Sequence, residues 1–280
     1  MNTTTHLAGK QIIVCADDFA QSAEIDAGII TLMEQGKLSA TSCMTSSPRW
    51  QQAAKSITQN IRMKADIGLH LDFTHFNSSY SLAALILLAE ARGLSKQHLY
   101  LTINQQLDSF EESLGAAPDY VDGHQHVHQL PQIRDALLHT LTQRYHPHLP
   151  WIRIAKPPAQ DGLKAIIIGA LGANAMTRQA RKLGFKHSCF LLGVYGFTGN
   201  SKSYLANLGR WLRIAAQHTN SDIPVLMCHP AKQMASFSHA HGDPIYSARI
   251  NEFEIMNSER FATLLNQYDL KIVRGSALWS

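Results

Sequence analysis

Short continuous apolar runs alternate along this 280-residue chain with stretches of helical periodicity. The first run, residues 11–18 (QIIVCADD), holds Ile12, Ile13, Val14, Cys15 and Ala16 and stops at two adjacent carboxylates, Asp17 and Asp18. An uninterrupted apolar run bounded by polar residues predicts a strand buried on both faces, as in a parallel sheet covered by helices. Ser22 is then placed to cap a helix whose apolar positions Ile25, Ile29, Leu32 and Met33 form one stripe, with Gly36 set to end it. Residues 38–45 predict a second strand, closed by Ser47-Pro48, and residues 49–58 a short helix. In a third strand over residues 66–73 (DIGLHLDF), alternation puts Ile67, Leu69 and Leu71 on one side and Gly68, His70 and Asp72 on the other.

Residues 74–95 carry a small helix-like apolar run and predict a lid or packing element. Ile103, Leu107, Phe110 and Leu114 mark a better helix, ended by Gly115 and Pro118. Residues 120–131 (YVDGHQHVHQLP) begin as a strand and finish in a loop, and residues 133–141 are helical. Further strands are predicted over 151–155, 190–194, 223–227 and 270–273, with helices over 163–183, 204–218 and 251–268. Strands and helices that alternate with short connections imply βαβ units and a parallel sheet. No glycine-rich phosphate loop follows the first strand, so a closed or nearly closed (β/α) barrel is preferred to an open dinucleotide-binding sheet. No repeat, low-complexity stretch or linker interrupts residues 1–280, which predicts a single domain.

The hydrophobic fraction of 45% supports a full core. A formal net charge of +4, with Lys and Arg scattered along the chain, gives no argument for a nucleic-acid partner. Cys15, Cys43, Cys189 and Cys228 lack CxxC spacing and lie in apolar runs, which reads as reduced core cysteines. The opening MNTTTHLAGK lacks an apolar signal region, and the longest apolar run, residues 82–89, is too short to span a bilayer. A soluble cytoplasmic protein is expected, with a homodimer left open.

Histidine is the compositional outlier at 15 residues. Asp or His recurs where predicted strands end: Asp17-Asp18, His70, His124/His126/His128 and His229. In a barrel those ends converge on one face. On an extended strand His124, His126 and His128 would share a side. One of them, His70 and one carboxylate would make a two-His-one-carboxylate metal set with open positions. Neighbours on a regular strand point apart, so one aspartate can hold a metal while the other serves as base to its water. His229 is a candidate general acid or substrate contact, and the same alternation argues against a Cys228–His229 dyad. Arg153 could bind an oxyanion or sugar hydroxyl, or form a structural ion pair, and Asp122 could orient one of the histidines.

ADDFA (16–20), IGLHLDFT (67–74), VDGHQHVHQLP (121–131) and MCHPA (227–231) resemble, in order and spacing, the YdjC-like carbohydrate deacetylases of the ChbG and HpnK types. The resemblance spans nearly the whole chain. It implies a distorted (β/α) barrel, a divalent metal with magnesium ahead of zinc, and hydrolysis of the N-acetyl group of a sugar. Carried over by position, Asp17 is implied as catalytic base, Asp18, His70 and His124 as metal ligands, and His229 as proton donor; the residues alone leave open whether His126 or His128 replaces His124. Ala20 stands where the family usually has Gly, so the turn after Phe19 is expected to be built without a left-handed glycine. The expected substrate is a small carbohydrate or glycoconjugate, either chitooligosaccharide-like or a lipid-linked amino sugar. The competing readings are a metal-dependent hydrolase of another bond, such as a phosphate ester, and a non-catalytic sugar- or metal-binding barrel.

Overall fold

A computed structural model describes residues 9–77, 80–218, 223–234 and 242–279. The expectation for the opening residues 1–8 lies outside that range. Eight strands carry the fold: β1 (Lys10–Phe19), β2 (Ala40–Cys43), β3 (Asp66–Leu71), β4 (Tyr120–Gly123), β5 (Trp151–Ile152), β6 (Leu191–Leu192), β7 (Val225–Cys228) and β8 (Leu270–Ile272). They pair in the order β5-β4-β3-β2-β1-β7-β6, with β8 also on β1, and every pairing is parallel. Between the outer strands, Ile152 N donates to Lys186 O (2.9 Å) and Leu191 N to Lys156 O (3.2 Å). Those bonds draw the approach to β6 along β5, so the sheet curls to near closure. This is the nearly closed (β/α) barrel expected from the strand–helix alternation, in the distorted form that the resemblance implies.

Alternation along each strand separates two buried layers. Ile12, Val14 and Ala16 of β1 and Ile67, Leu69 and Leu71 of β3 face the helices. Ile13, Cys15, Ala40, Tyr120, Trp151, Leu191 and Val225 fill the barrel interior. Gly68 is required inside, because a Cβ there would lie 2.4 Å from the Tyr120 ring. The ring in that space sends its hydroxyl to Ser42 Oγ (2.7 Å) and Cys15 Sγ (3.0 Å). At the amino ends of the strands, Trp279 packs edge-on against Trp151 and Asp66 accepts from Trp151 Nε1 (3.0 Å) and Ser276 N (2.8 Å). That end is plugged, and the polar carboxyl ends are left facing a cavity.

Ser22 caps the helix Ala23–Glu34 as its spacing predicts, accepting from Ile25 N (3.3 Å). Two long predicted helices are each broken in two. Residues 163–183 form Leu163–Ala170 and Ala173–Lys182, because Gly172 sits at φ +124°, where a Cβ would meet Gln129 O at 2.1 Å. The helix predicted over 251–268 is two, Tyr246–Asn257 and Glu259–Gln267, parted by Ser258, whose hydroxyl accepts from Arg260 N (3.3 Å), and Tyr268 lies just past the second. The region 74–95, of which 78 and 79 lie outside the described residues, contains the helix Leu82–Glu90.

Candidate active site

The carboxyl end of β1 departs from regular strand geometry at its two aspartates. The β1–β2 register shifts between Ala16 and Phe19, and Asp18 takes φ +69°. The residue after a regular strand position would point away, but this left-handed step turns the Asp18 carboxylate to the side that Asp17 faces. Asp17 Oδ2 and Asp18 Oδ1 lie 3.9 Å and 3.5 Å from the same atom, His70 Nε2. The expectation that the two aspartates diverge is therefore corrected. Ala20 is also left-handed, at φ +78°, a conformation that costs a non-glycine residue about 1 kcal/mol. It is held by Asp26 Oδ1, which accepts from Ala20 N (2.7 Å), and by Ser47 Oγ, which donates to Ala20 O (2.7 Å).

Strand register explains the next contact. His70 on β3 stands beside Asp122 on β4, and His70 Nδ1 lies 2.6 Å from Asp122 Oδ1. Asp122 thus orients a histidine, as its place in the sequence suggests. Ser42 Oγ donates to its other oxygen (2.6 Å). Burial opposes the charge on both partners. Against it, Asp122 and Asp17 push the His70 imidazolium up to about 10, while Arg153 and His70 hold the Asp122 carboxyl below its usual range.

The three histidines of DGHQHVH do not share a face. Gln125 (φ 53°) and His126 (φ 63°) are left-handed inside a tight turn, so the strand ends at Gly123. His124 alone of the three reaches the aspartates, with Nδ1 3.1 Å from Asp18 Oδ1. His128 is buried and bonded to Arg153 O (2.8 Å), and His126 lines the cavity with its imidazole held neutral mainly by burial.

Asp18, His70 and His124 bring one ligand atom each within 4.8 Å of one another. Atoms held by a common divalent ion at about 2.1 Å are roughly 3.0–3.5 Å apart at octahedral or tetrahedral angles. The separations of 3.1 Å and 3.5 Å on Asp18 Oδ1 match that requirement. With Nδ1 engaged by Asp122, His70 turns Nε2 toward Asp18 Oδ1 (3.5 Å), the place where a divalent ion would take over from the imidazolium proton. The donor set therefore fits a divalent metal.

Arg153 is fully buried beneath this set. Its Nη1 and Nη2 reach Asp17 Oδ1 (2.5 Å) and Oδ2 (2.7 Å), and its Nε lies 2.9 Å from Asp122 Oδ2. The expectation of Arg153 as a substrate contact is corrected: no part of the guanidinium faces the cavity, and the ion-pair alternative is the one observed. Cys228 is equally removed, its buried thiol raised well above the ordinary range mainly by burial and bonded to Cys15 O (3.4 Å).

His229 extends from β7 into the cavity, with Nε2 4.0 Å from Asp17 Oδ2. Burial brings its imidazole down to about 4, against the pull of Asp18 and Asp17. Glu252 accepts from its backbone N (2.5 Å) and from Tyr195 OH (2.6 Å). Sequence reading missed Glu252 and Arg249 altogether. Arg249 Nη2 donates to Asp18 Oδ2 (2.8 Å) while its Nε is held by Asp243 (2.6 Å). Burial alone would raise the Asp18 carboxyl, but Arg249 and the two imidazoles hold it well below its usual range. Both missed residues lie on the helix Tyr246–Asn257, which has no marked apolar face, and carry no motif.

The aspartates and His70, His124 and His229 form the floor of a cavity of about 670 Å³. Its upper walls come from Leu82–Glu90, Leu163–Ala170 and the segment around Pro244.

The family described as "YdjC-like protein" matches residues 11–267. A chitooligosaccharide deacetylase of Yersinia enterocolitica is 25% identical over 277 residues, covering 94% of this chain and 97% of that protein. A chitooligosaccharide deacetylase of Serratia marcescens is 27% identical, covering 79% and 82%. Among solved structures, a putative cellobiose-phosphate cleavage protein of Enterococcus faecalis superimposes with a TM-score of 0.71 at 18% identity, over 96% of this chain and 99% of that one.

Proposed function

This chain belongs to the YdjC-like protein family, and from that premise and the site geometry we propose that it is a metal-dependent deacetylase of an N-acetylated sugar or glycoconjugate. The observation that carries the reading is the pairing of a three-ligand set on Asp18, His70 and His124 with a second carboxylate, Asp17, at its side. The deacetylase names of the two Yersinia and Serratia relatives support the choice of bond.

A divalent cation on those three side chains would supply Lewis acidity to the amide carbonyl and acidify a water, leaving coordination positions open for both. Magnesium and zinc are both candidates, and two imidazole donors favour zinc more than they favour magnesium. Asp17 accepts the proton of the attacking water at Oδ2, the oxygen nearest His70 and His229. Arg153 fixes that carboxylate in one orientation through its two terminal nitrogens. His229 protonates the departing nitrogen. Neutral at rest, its imidazole must first take up a proton, and the one that Asp17 removes from the water, at an oxygen 4.0 Å from His229 Nε2, balances the transfer to the amine. A phosphate-ester reading is less well supported, because the two arginines nearest the floor are both committed to aspartates. A purely binding barrel needs no second carboxylate beside the ligand set on the cavity side.

The test is acetate release by the full chain from diacetylchitobiose and simple N-acetylglucosaminides, with p-nitrophenyl phosphate as the rival substrate. Metal-dependent acetate release supports the reading. Phosphate release without acetate would replace it.

A further inference from the structure

The imidazole of His229 has no hydrogen-bonded partner to orient it. Among the described residues its Nδ1 is buried without a partner, and its Nε2 lies 4.0 Å from Asp17 Oδ2. A histidine that moves protons is ordinarily turned to its task by a hydrogen bond to the other ring nitrogen. What touches this imidazole instead is the ring of Phe197, in a T-shaped contact with centroids 5.1 Å apart and planes at 85°. T-shaped packing of aromatic rings is attractive and directional.

Phe197 belongs to the loop 193–200, between β6 and the helix Ser201–Ala215, and lines the cavity. Three residues of that loop have positive φ: Gly193 (+95°), Gly199 (+93°) and Phe197 (+56°). Two of them are glycine, as a left-handed backbone favours, but the third is a bulky residue in a conformation it rarely adopts. Such strain persists where neighbours over-determine it. Here Lys164 Nζ stands 4.7 Å from the Phe197 ring centroid and donates to Tyr195 O (3.1 Å). The Tyr195 ring lies 4.7 Å from that of Phe197, and its hydroxyl donates to Glu252 Oε1 (2.6 Å). The other oxygen of Glu252 accepts from His229 N (2.5 Å). One loop therefore holds His229 twice, by its backbone through Tyr195 and Glu252 and by its imidazole through Phe197.

Resting on the deacetylase reading above, we propose that Phe197 is a positioning residue, whose ring, set by a strained backbone, fixes the imidazole of His229 with Nε2 on the side of Asp17. Packing takes the place of the carboxylate that orients other acid–base histidines. An aromatic ring adds no formal negative charge beside Nδ1, so the imidazole is oriented without being held protonated.

The experiment follows kcat and KM for acetate release from diacetylchitobiose by the full metal-loaded chain. In parallel, the metal-free chain with isotope-labelled histidine gives the χ1 rotamer of His229 from three-bond couplings, its signals assigned by their loss in His229→Ala. Phe197→Ala should lower kcat by about 10–100-fold with KM within about threefold. Phe197→Gly, which removes ring and strain together, should do the same. Phe197→Tyr restores a ring and should return to within about threefold of the unaltered chain. On the residual activity of His229→Ala, adding Phe197→Ala should change kcat by less than about twofold. The His229 rotamer should be single in the unaltered chain and averaged in Phe197→Ala. An equal loss of kcat in the His229→Ala background, or a rise in KM alone, assigns the ring to the substrate and overturns the inference. A rotamer that stays single in both Phe197→Ala and Phe197→Gly overturns it whatever the kinetics. Absence of acetate from the unaltered chain, with the single rotamer still lost in Phe197→Ala, overturns the deacetylase reading and leaves Phe197 as the residue that orients His229.

Discussion

Arg153 grips Asp17 with both terminal nitrogens of its guanidinium, at 2.5 Å and 2.7 Å, in a place closed to solvent. The two residues are 136 positions apart on β1 and just beyond β5, so the curl of the sheet brings them together. The pair leaves a carboxylate that cannot turn away from the cavity. Removing the cation strands Asp17 and Asp122 as neighbouring buried charges. Arg153→Met should therefore cost about 3–5 kcal/mol in urea unfolding. A loss below about 1 kcal/mol would mean that the ion pair is dispensable.

Asp17→Asn preserves size and an acceptor for Arg153 but cannot take a proton. It should lower kcat for acetate release by roughly 10²–10⁴ while metal stoichiometry, read by elemental analysis, stays unchanged. Activity within a few-fold of the unaltered chain would remove Asp17 from the role of base.

Asp122 touches His70 on the side away from the proposed ion. Asp122→Asn should weaken metal affinity by about 10–100-fold, measured by competition with a chelating dye on protein shown to be folded by circular dichroism. Unchanged affinity would show that His70 needs no partner to present Nε2.

Glu252 gives a pH prediction with a definite sign. Burial raises its carboxyl from 4.5 to about 7, against the bonds from His229 N and Tyr195 OH. A raised folded-state value means that the native chain keeps a proton which the unfolded chain gives up from about 4.5 upward. The associated stability is present below that pH and is lost as pH rises through about 7. Relative to Glu252→Gln, the unaltered chain should lose on the order of 2–3 kcal/mol between pH 4 and 8. Parallel stability curves for the two proteins over that range would contradict the shift.

Those residues also show what could be read from the sequence alone. The β1 and β3 strands and the metal-ligand candidates on them were legible because buried parallel strands are long apolar runs ending in conspicuous Asp and His residues. The shared direction of Asp17 and Asp18 was not, because it rests on one left-handed residue, Asp18, in a type of residue that permits but does not demand it. The same is true of the turn at Gln125 and His126, which takes His126 and His128 away from His124. Ala20 adopts the left-handed conformation without being glycine, so composition gave no sign of it. The role of Arg153 depended on a partner distant in the chain, and the bond from Arg249 to Asp18 spans 231 positions. Tertiary pairings of that kind leave no local pattern.

The most direct test is a titration of the metal-stripped chain with Zn²⁺ and, separately, Mg²⁺, following bound metal and acetate release from diacetylchitobiose together. One ion per chain is expected, with acetate release that rises with occupancy of that ion and loss of both in His70→Ala. Acetate release that is indifferent to metal, or metal binding that survives His70→Ala unchanged, would contradict it.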